Sequence, residues 1–343
     1  MQDYNMFNKR LYNTKFHQID LSKFSILITG GAGFIGSNLV EYLLKYDVGH
    51  VRVLDNLSNG YYDNIKEFEN LSNFEFIEGD IRDINICREA VKGVNFILHQ
   101  AALGSVPRSI EDPLLSNSVN VNGFLNMLTA AKDSPDLVRL VYAASSSTYG
   151  DSQSLPKREG FEGKPISPYA VTKLVNELYA EVFSSIYGFH TVGLRYFNVF
   201  GPKQNSNNPY AAVIPIFCKN FIDGDSPNIN GTGETTRDFT FVENVVQANI
   251  LSLFCDLNCH NNRHQVYNVA CGRQVSLNEV VGLLKQISQK EILPEYSNPR
   301  LGDIEHSLAD IEKISTIGYK PKINFEMGLR IVYDYYLNES SKR

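Results

Sequence analysis

Three glycines, Gly30, Gly33 and Gly36, stand where a short apolar run gives way to an amphipathic one, and that junction constrains the fold more than any other stretch. Ser25-Ile26-Leu27-Ile28-Thr29 is apolar and β-branched, as a buried strand is. From Phe34 to Lys45, apolar Ile35, Leu39, Leu43 and Leu44 recur at helical spacing. Strand, glycine turn and helix in this order make a dinucleotide seat. The first glycine permits a sharp turn, the second lets backbone approach a pyrophosphate, and the third lets helix pack on sheet. The first N–H groups of the helix and its dipole then face the negative charge.

Further strand patterns occupy 51–54, 74–77, 95–98, 137–143 and 191–194, with helical patterns between most of them. Such alternation predicts an α/β fold with a doubly wound parallel sheet covered on both faces. A Pro-, Asn- and Ser-rich stretch, 201–208, marks a change of texture. We therefore expect a dinucleotide-binding domain over 1–197 and a smaller mixed α/β lobe over 198–343. Residues 240–270 partly return to the first domain through a strand at 265–269. The first twenty residues read as a short extra helix or arm, not a signal peptide.

With 43% apolar residues in 343, the chain can bury a sizeable core. A net charge of −6 disfavours nucleic acid as partner. No apolar run reaches the length of a membrane span. Five scattered cysteines are no disulfide framework, and a cytoplasmic protein is expected. Cys255, Cys259, His260 and His264 lie close together, but their spacing fits no zinc module, so no metal is expected.

Asp55 stands nineteen residues after Gly36 at the end of the second strand. An acid there accepts hydrogen bonds from the adenosine ribose and repels a 2′-phosphate, which favours NAD over NADP. Asp80-Ile81 and Gln100-Ala101-Ala102 follow the third and fourth strands, at the carboxyl ends where ligands of such sheets bind.

Tyr169 and Lys173 are four apart behind Pro168, a residue suited to a helix's first turn. A lysine cation near a phenol lowers its pKa and makes it usable as a general base. Alone the pair could be a surface accident. Ser145-Ser146-Ser147-Thr148-Tyr149-Gly150 raises its weight, because a hydroxyl twenty-four residues before Tyr169 ends the fifth strand. Strand-end hydroxyl, phenol and ammonium together fit a hydride-transfer site.

These residues resemble the extended short-chain dehydrogenases, and within them the bacterial UDP-hexose 4-epimerases. The resemblance rests on Thr29-Gly-Gly-Ala-Gly-Phe-Ile-Gly36, Asp55-Asn56, Gly79-Asp80-Ile81, His99-Gln-Ala-Ala102, Tyr169-x-x-x-Lys173 and Leu194-Arg-Tyr-Phe-Asn198. The stretch from His99 to Ser109 and Ser145-Ser-Ser-Thr-Tyr-Gly150 are similar to UDP-N-acetylglucosamine 4-epimerases of surface-polysaccharide pathways. The resemblance implies a Rossmann domain, a UDP-sugar lobe, tightly held NAD and a homodimer joined through helices. It also implies that Tyr169 takes the proton of the sugar 4-hydroxyl while hydride passes from C4 to NAD and back to the other face. Lys173 would hold the nicotinamide ribose. Ser145 aligns best with the catalytic hydroxyl, and Ser146 stays open as an alternative. Phe34, Ile35, Asn56, Ser58, Gly60, Asn120, Tyr196 and Val199 would join the NAD site.

On the substrate side the resemblance implies Ser105, Ser147 and Asn198, then Ala212 and Val213 at the UDP portion. Asn228, Ile229 and Asn230 would meet the uracil, Arg237 and Arg300 the diphosphate, and Asp303 the uridine ribose. Guanidinium groups suit phosphate because they bind it in a bidentate way. At Ser307, some relatives restricted to non-acetylated sugars carry a tyrosine; serine leaves room for a 2-N-acetyl group. A dehydratase on this scaffold would need an Asp-Glu pair where Ser146-Ser147 stand. A UDP-glucuronate epimerase or decarboxylase would need added contacts to a carboxylate. A non-catalytic NAD sensor would have no need to keep Ser145, Tyr169 and Lys173 together.

Overall fold

The computed structural model describes residues 11–205, 212–256, 263–298 and 305–341. Strands β1 (Ser25–Thr29), β2 (His50–Asp55), β3 (Phe74–Glu78), β4 (Phe96–His99), β5 (Arg139–Ser145), β6 (His190–Tyr196) and β7 (His264–Val269) form one sheet. Their order is β7-β6-β5-β4-β1-β2-β3, and every neighbouring pair is parallel. This is a doubly wound, Rossmann-type α/β sheet. Strand order reverses between β1 and β4, which opens a crevice at the carboxyl ends of the strands.

Side chains alternate between two cores, as a period of two requires. Ile26 and Ile28 enter one core, while Leu27 enters the other. The first core is shared with helices α1 (Phe34–Lys45) and, further along the chain, Val242–Phe254. The second lies under α2 (Ile84–Ala90), α3 (Phe124–Lys132) and α4 (Pro168–Tyr187). Burial on both faces explains why these strands read as near-continuous apolar runs.

The remaining long helices are α5 (Val213–Asp223), α6 (Val242–Phe254), α7 (Leu277–Ser288) and α8 (Phe325–Ser341), besides several shorter helical segments such as Val106–Glu111 and Pro113–Asn117. Phe217, Phe221, Leu284 and Leu329 continue the first core, so the later helices pack onto the same apolar mass as β1. Short strand pairs join 199–200 to 240–241, 236–237 to 275–276, and 228–230 to 295–297. Strand β7 (His264–Val269) lies beside β6 in the main sheet.

Strand positions match the expected ones, but boundaries shift. β5 runs from Arg139 to Ser145, starting and ending two residues later than expected. Its register pairs Ser145 with Tyr196, so ladder bonding carries the strand past its apolar run. Residues 11–20 form an arm with no helix.

Candidate active site

A cavity of about 590 Å³ opens at the carboxyl ends of the strands, along the crevice between β1 and β4. Its first wall is the glycine turn. Gly30 has φ +68, and a Cβ there would meet the Ala101 backbone nitrogen at 2.7 Å. A Cβ on Gly36 would meet the Gly30 carbonyl oxygen at 2.1 Å, so α1 packs onto the turn only because that side chain is missing. Gly33 is the N-cap of α1 and provides no side-chain cap. The first-turn N–H groups of Phe34, Ile35 and Gly36 have no acceptor inside the helix and belong to residues lining the cavity. They form a positive seat for a pyrophosphate.

Asp55 is buried where β2 ends. Its carboxylate accepts from the Ala32 N–H at 2.9 Å and from the Leu57 N–H at 2.9 Å. Burial pushes its pKa up, and those two bonds pull it back. The acid thus ties the glycine turn to β2, and each oxygen keeps a lone pair for a ribose hydroxyl. Nearby, Asp80 receives Arg82 at 2.7 Å and Asn56 at 2.8 Å. The Arg82 bonds hold its carboxyl down at about 2.

Across the cavity, Ser167 caps α4 by accepting from the Ala170 N–H at 3.1 Å, with Pro168 in the first turn. Ser109 accepts from the Tyr169 N–H at 3.0 Å. Tyr169 and Lys173 therefore leave one face of α4 toward the end of β5. The Lys173 ammonium donates to the Ala143 carbonyl at 2.7 Å and lies 5.9 Å from the centre of the Tyr169 ring. Tyr169 and Ser145 line the same cavity, and the Ser145 hydroxyl favours the charged form of the phenol. Ser145 Oγ accepts from Ser147 N at 3.1 Å and Ser147 Oγ at 2.9 Å, which leaves its own proton free to face Tyr169. Ser146 lines the cavity beside them.

One expectation reverses. Spacing alone predicts a phenol made acidic by its lysine, yet the Tyr169 pKa is raised, because burial outweighs the Ser145 hydroxyl that lowers it. Burial instead brings Lys173 down to about 8, against an opposing pull from Glu177.

Gln100 and Tyr196 line the cavity and bond each other at 3.0 Å. Both also bond Asn249 of α6, at 3.1 and 2.9 Å. Asn249 carries no sequence signal for this role; it is an amide inside an apolar helix. Tyr61, Lys203, Gln204 and Asn205 also line the cavity and were not anticipated. A lone lysine or amide in a loop marks no site until the fold brings it there.

Ser58, Gly60, Ile81, Ala101, Ala102, Ser105, Asn198, Val199 and Ala212 all line this cavity. Asn120 is placed otherwise. Buried, it accepts from the Leu103 N–H at 2.8 Å and donates to Thr172 Oγ1 at 3.2 Å, so it holds the 100–104 loop against α4 from behind. Val213, Asn228, Ile229, Asn230, Arg237 and Ser307 stand away from the cavity lining. Arg237 and Ser307 flank one bridge, Thr236 to His306: Arg237 donates to the Thr236 carbonyl at 2.9 Å, and the Ser307 N–H donates to the same oxygen at 3.1 Å. Arg300 and Asp303 lie outside the described residues, as do Cys259 and His260. His264 bonds Thr191 at 2.8 Å and Cys255 receives Arg139 at 3.5 Å. No metal-holding group of His, Cys, Asp and Glu occurs among the described residues. No helix among them is long and apolar enough to cross a membrane.

Residues 26–270 match the model of the NAD-dependent epimerase/dehydratase family. The chain belongs to that family. NAD is accordingly its cofactor, and an uncapped helix start beside the buried acid Asp55 fits one. The chain is 34% identical to a putative UDP-glucose 4-epimerase of Methanocaldococcus jannaschii over 92% of its own length and 99% of that protein. A UDP-N-acetylglucosamine 4-epimerase of Methanobrevibacter ruminantium, solved with UDP-N-acetylmuramic acid, superposes with a TM-score of 0.86. That protein is 38% identical, with 92% of this chain and 99% of that one covered. The UDP-glucuronic acid 4-epimerase of Bacillus cereus, solved with UDP-glucuronic acid and NAD, has a TM-score of 0.82. It is 29% identical, with 92% of this chain and 99% of that chain covered.

Proposed function

We propose that this enzyme inverts C4 of a UDP-hexose, with UDP-GlcNAc and UDP-GalNAc as its preferred pair, to supply a polysaccharide pathway. The observation that carries the reading is that Tyr169, Lys173, Ser145 and the glycine turn all line one cavity. The glycine turn, Asp55 and Lys173 would hold NAD, which would supply a reversible hydride acceptor for C4 of the sugar.

Tyr169 takes the proton of the 4-hydroxyl and gives it back, which makes it base and then acid. Ser145 donates to the reacting oxygen. Lys173, buried and charged at neutral pH, stabilises negative charge on the phenol as the proton leaves. It would also hold the nicotinamide ribose. Because burial raises the resting phenol, Tyr169 is not a preformed phenolate in the free protein. Positive charge bound beside the phenol would favour its ionisation.

Support for the acetylated sugar comes from the small Ser307 side chain and from the similarity to a UDP-N-acetylglucosamine 4-epimerase. Asn198, Ala212, Val213, Asn228 to Asn230, Arg237, Arg300, Asp303 and Ser307 would grip the UDP-sugar. We also propose a homodimer through α4, whose outer face exposes Val171, Leu178, Val182 and Ile186 at helical spacing.

Incubation with UDP-GlcNAc and proton NMR of the product tests this. Appearance of UDP-GalNAc is the expected result. Turnover of UDP-glucose or UDP-glucuronate alone would reassign the substrate, and no C4 inversion of any UDP-hexose would end the reading.

A further inference from the structure

The matched family segment begins at residue 26, so the N-terminal arm lies ahead of it. Yet the arm is packed like core. Leu11, Tyr12, Phe16 and His17 are all buried. Phe16 stacks on Tyr42 with ring centres 5.2 Å apart, and its N–H donates to the Tyr42 hydroxyl at 2.7 Å. Lys45 donates to the Leu11 carbonyl at 2.8 Å. Every α1 residue engaged here (Asn38, Tyr42, Lys45 and Tyr46 just past its end) follows the spacing of one helical face.

Tyr12 is the centre of this contact. Its φ is 57, the left-handed region that a bulky side chain adopts only when its surroundings over-determine it. All three of its polar groups are held. The N–H donates to Glu243 Oε2 at 3.1 Å, the carbonyl accepts from the Tyr46 hydroxyl at 2.8 Å, and the phenol donates to Asn38 Oδ1. Asn38 is fully buried and passes the contact on. Its Nδ2 donates to the Phe34 carbonyl at 2.8 Å and to the Pro202 carbonyl at 3.2 Å. Phe34 is the first residue of α1, and both it and Lys203, Gln204 and Asn205 line the cavity. A second tie joins the same two walls: Lys203 pairs with Glu41 of α1 at 3.1 Å.

We propose that the arm braces the cofactor cleft, with Tyr12 as a positioning residue that acts through Asn38. It fixes the first turn of α1, where the pyrophosphate would sit, against the 202–205 loop on the opposite wall. The inference rests on the reading of this cavity as the NAD site. A purely structural arm would stabilise the fold and leave cofactor release from folded protein untouched.

Full-length, NAD-loaded protein separates the two. Tyr12→Phe keeps the buried ring and removes only the hydroxyl; Tyr12→Ala removes both. NAD release from each folded variant is followed by chase with excess labelled NAD. The brace predicts release about threefold to tenfold faster for Tyr12→Phe, the worth of one buried hydrogen bond, and faster still for Tyr12→Ala. Wild-type release rates in Tyr12→Phe would overturn it, even if both variants melt earlier. Should Tyr12→Ala fail to fold, Tyr12→Phe decides alone. A wild-type protein that takes up no NAD would instead remove the cofactor reading of the cavity, and the brace with it, and that result is distinct from unchanged release.

Discussion

Lys173 donates to the carbonyl oxygen of Ala143 at 2.7 Å, two residues before Ser145 at the end of β5. This bond joins the helix that carries the phenol to the strand that carries the hydroxyl, and it holds the ammonium within 5.9 Å of the Tyr169 ring centre. Lys173→Met keeps most of the length and burial but loses both the charge and the bond. We expect kcat to fall at least about a hundredfold, the usual scale for losing acid–base assistance. Steady-state rates on the UDP-hexose check this, and a rate near wild type would refute the role.

The same lysine sets a pH dependence. Burial lowers its pKa from 10.5 to about 8, so the charged form that supports Tyr169 disappears as pH rises through that value. The profile of kcat/KM, which reports the free enzyme, should therefore bend down near pH 8. An alkaline limb that stays flat up to the ordinary lysine value of 10.5 would show that Lys173 is not the titrating group.

Ser307 is the proposed gate for the acetyl group. Ser307→Tyr adds a ring at the bridge beside Arg237 and should reject the larger sugar by clash. We expect kcat/KM for UDP-GlcNAc to fall more than about tenfold while UDP-glucose changes far less. Equal losses on both sugars would mean general damage to the lobe, not selection.

His99 gives a stability prediction. It is buried, bonded to Thr29 at 2.8 Å, and burial together with the nearby Lys173 lowers its pKa from 6.5 to about 3. Its neutral form is thus the folded form, and the unfolded chain binds the extra proton. Stability from this residue is complete above pH 6.5 and is lost as pH falls toward 3. Near about pH 5 the loss should be about 2 kcal/mol. Urea unfolding of wild type and His99→Gln at neutral and acid pH tests it: the variant should lose less stability on acidification. Parallel slopes for the two proteins would contradict it.

The exposed stripe on α4 predicts the oligomer. Leu178 and Ile186 are 55% and 67% exposed, an unusual state for two large apolar side chains on one helical face. Val182→Asp with Ile186→Asp should convert a dimer to monomers in sedimentation at micromolar concentration. A wild-type protein that sediments as a monomer would remove the proposal.

Some of this site was legible in the chain and some was not, for physical reasons. Gly30, Gly33 and Gly36 announce themselves because backbone geometry demands them, and Tyr169 and Lys173 because helical spacing puts them on one face. Spacing says nothing of burial, which is why the direction of the Tyr169 shift came out opposite to expectation. Asn249 and Ser109 act through contacts distant in sequence, 149 residues in one case, and no local pattern encodes such a pairing. Asn120 shows the converse: a polar residue of the right type that the fold turns toward the back of a loop. Tyr12 combines both difficulties, since its value lies in a left-handed backbone and three distant partners.

The central claim is that one hydride leaves C4 and returns to C4 of the same sugar without passing to solvent. UDP-hexose deuterated at C4, turned over to equilibrium and analysed by NMR, tests it most directly. We predict that the product epimer keeps its deuterium at C4 and that Tyr169→Phe slows the interconversion at least about a hundredfold. Loss of the label to solvent, or an epimer formed at an undiminished rate without the phenol, would contradict it.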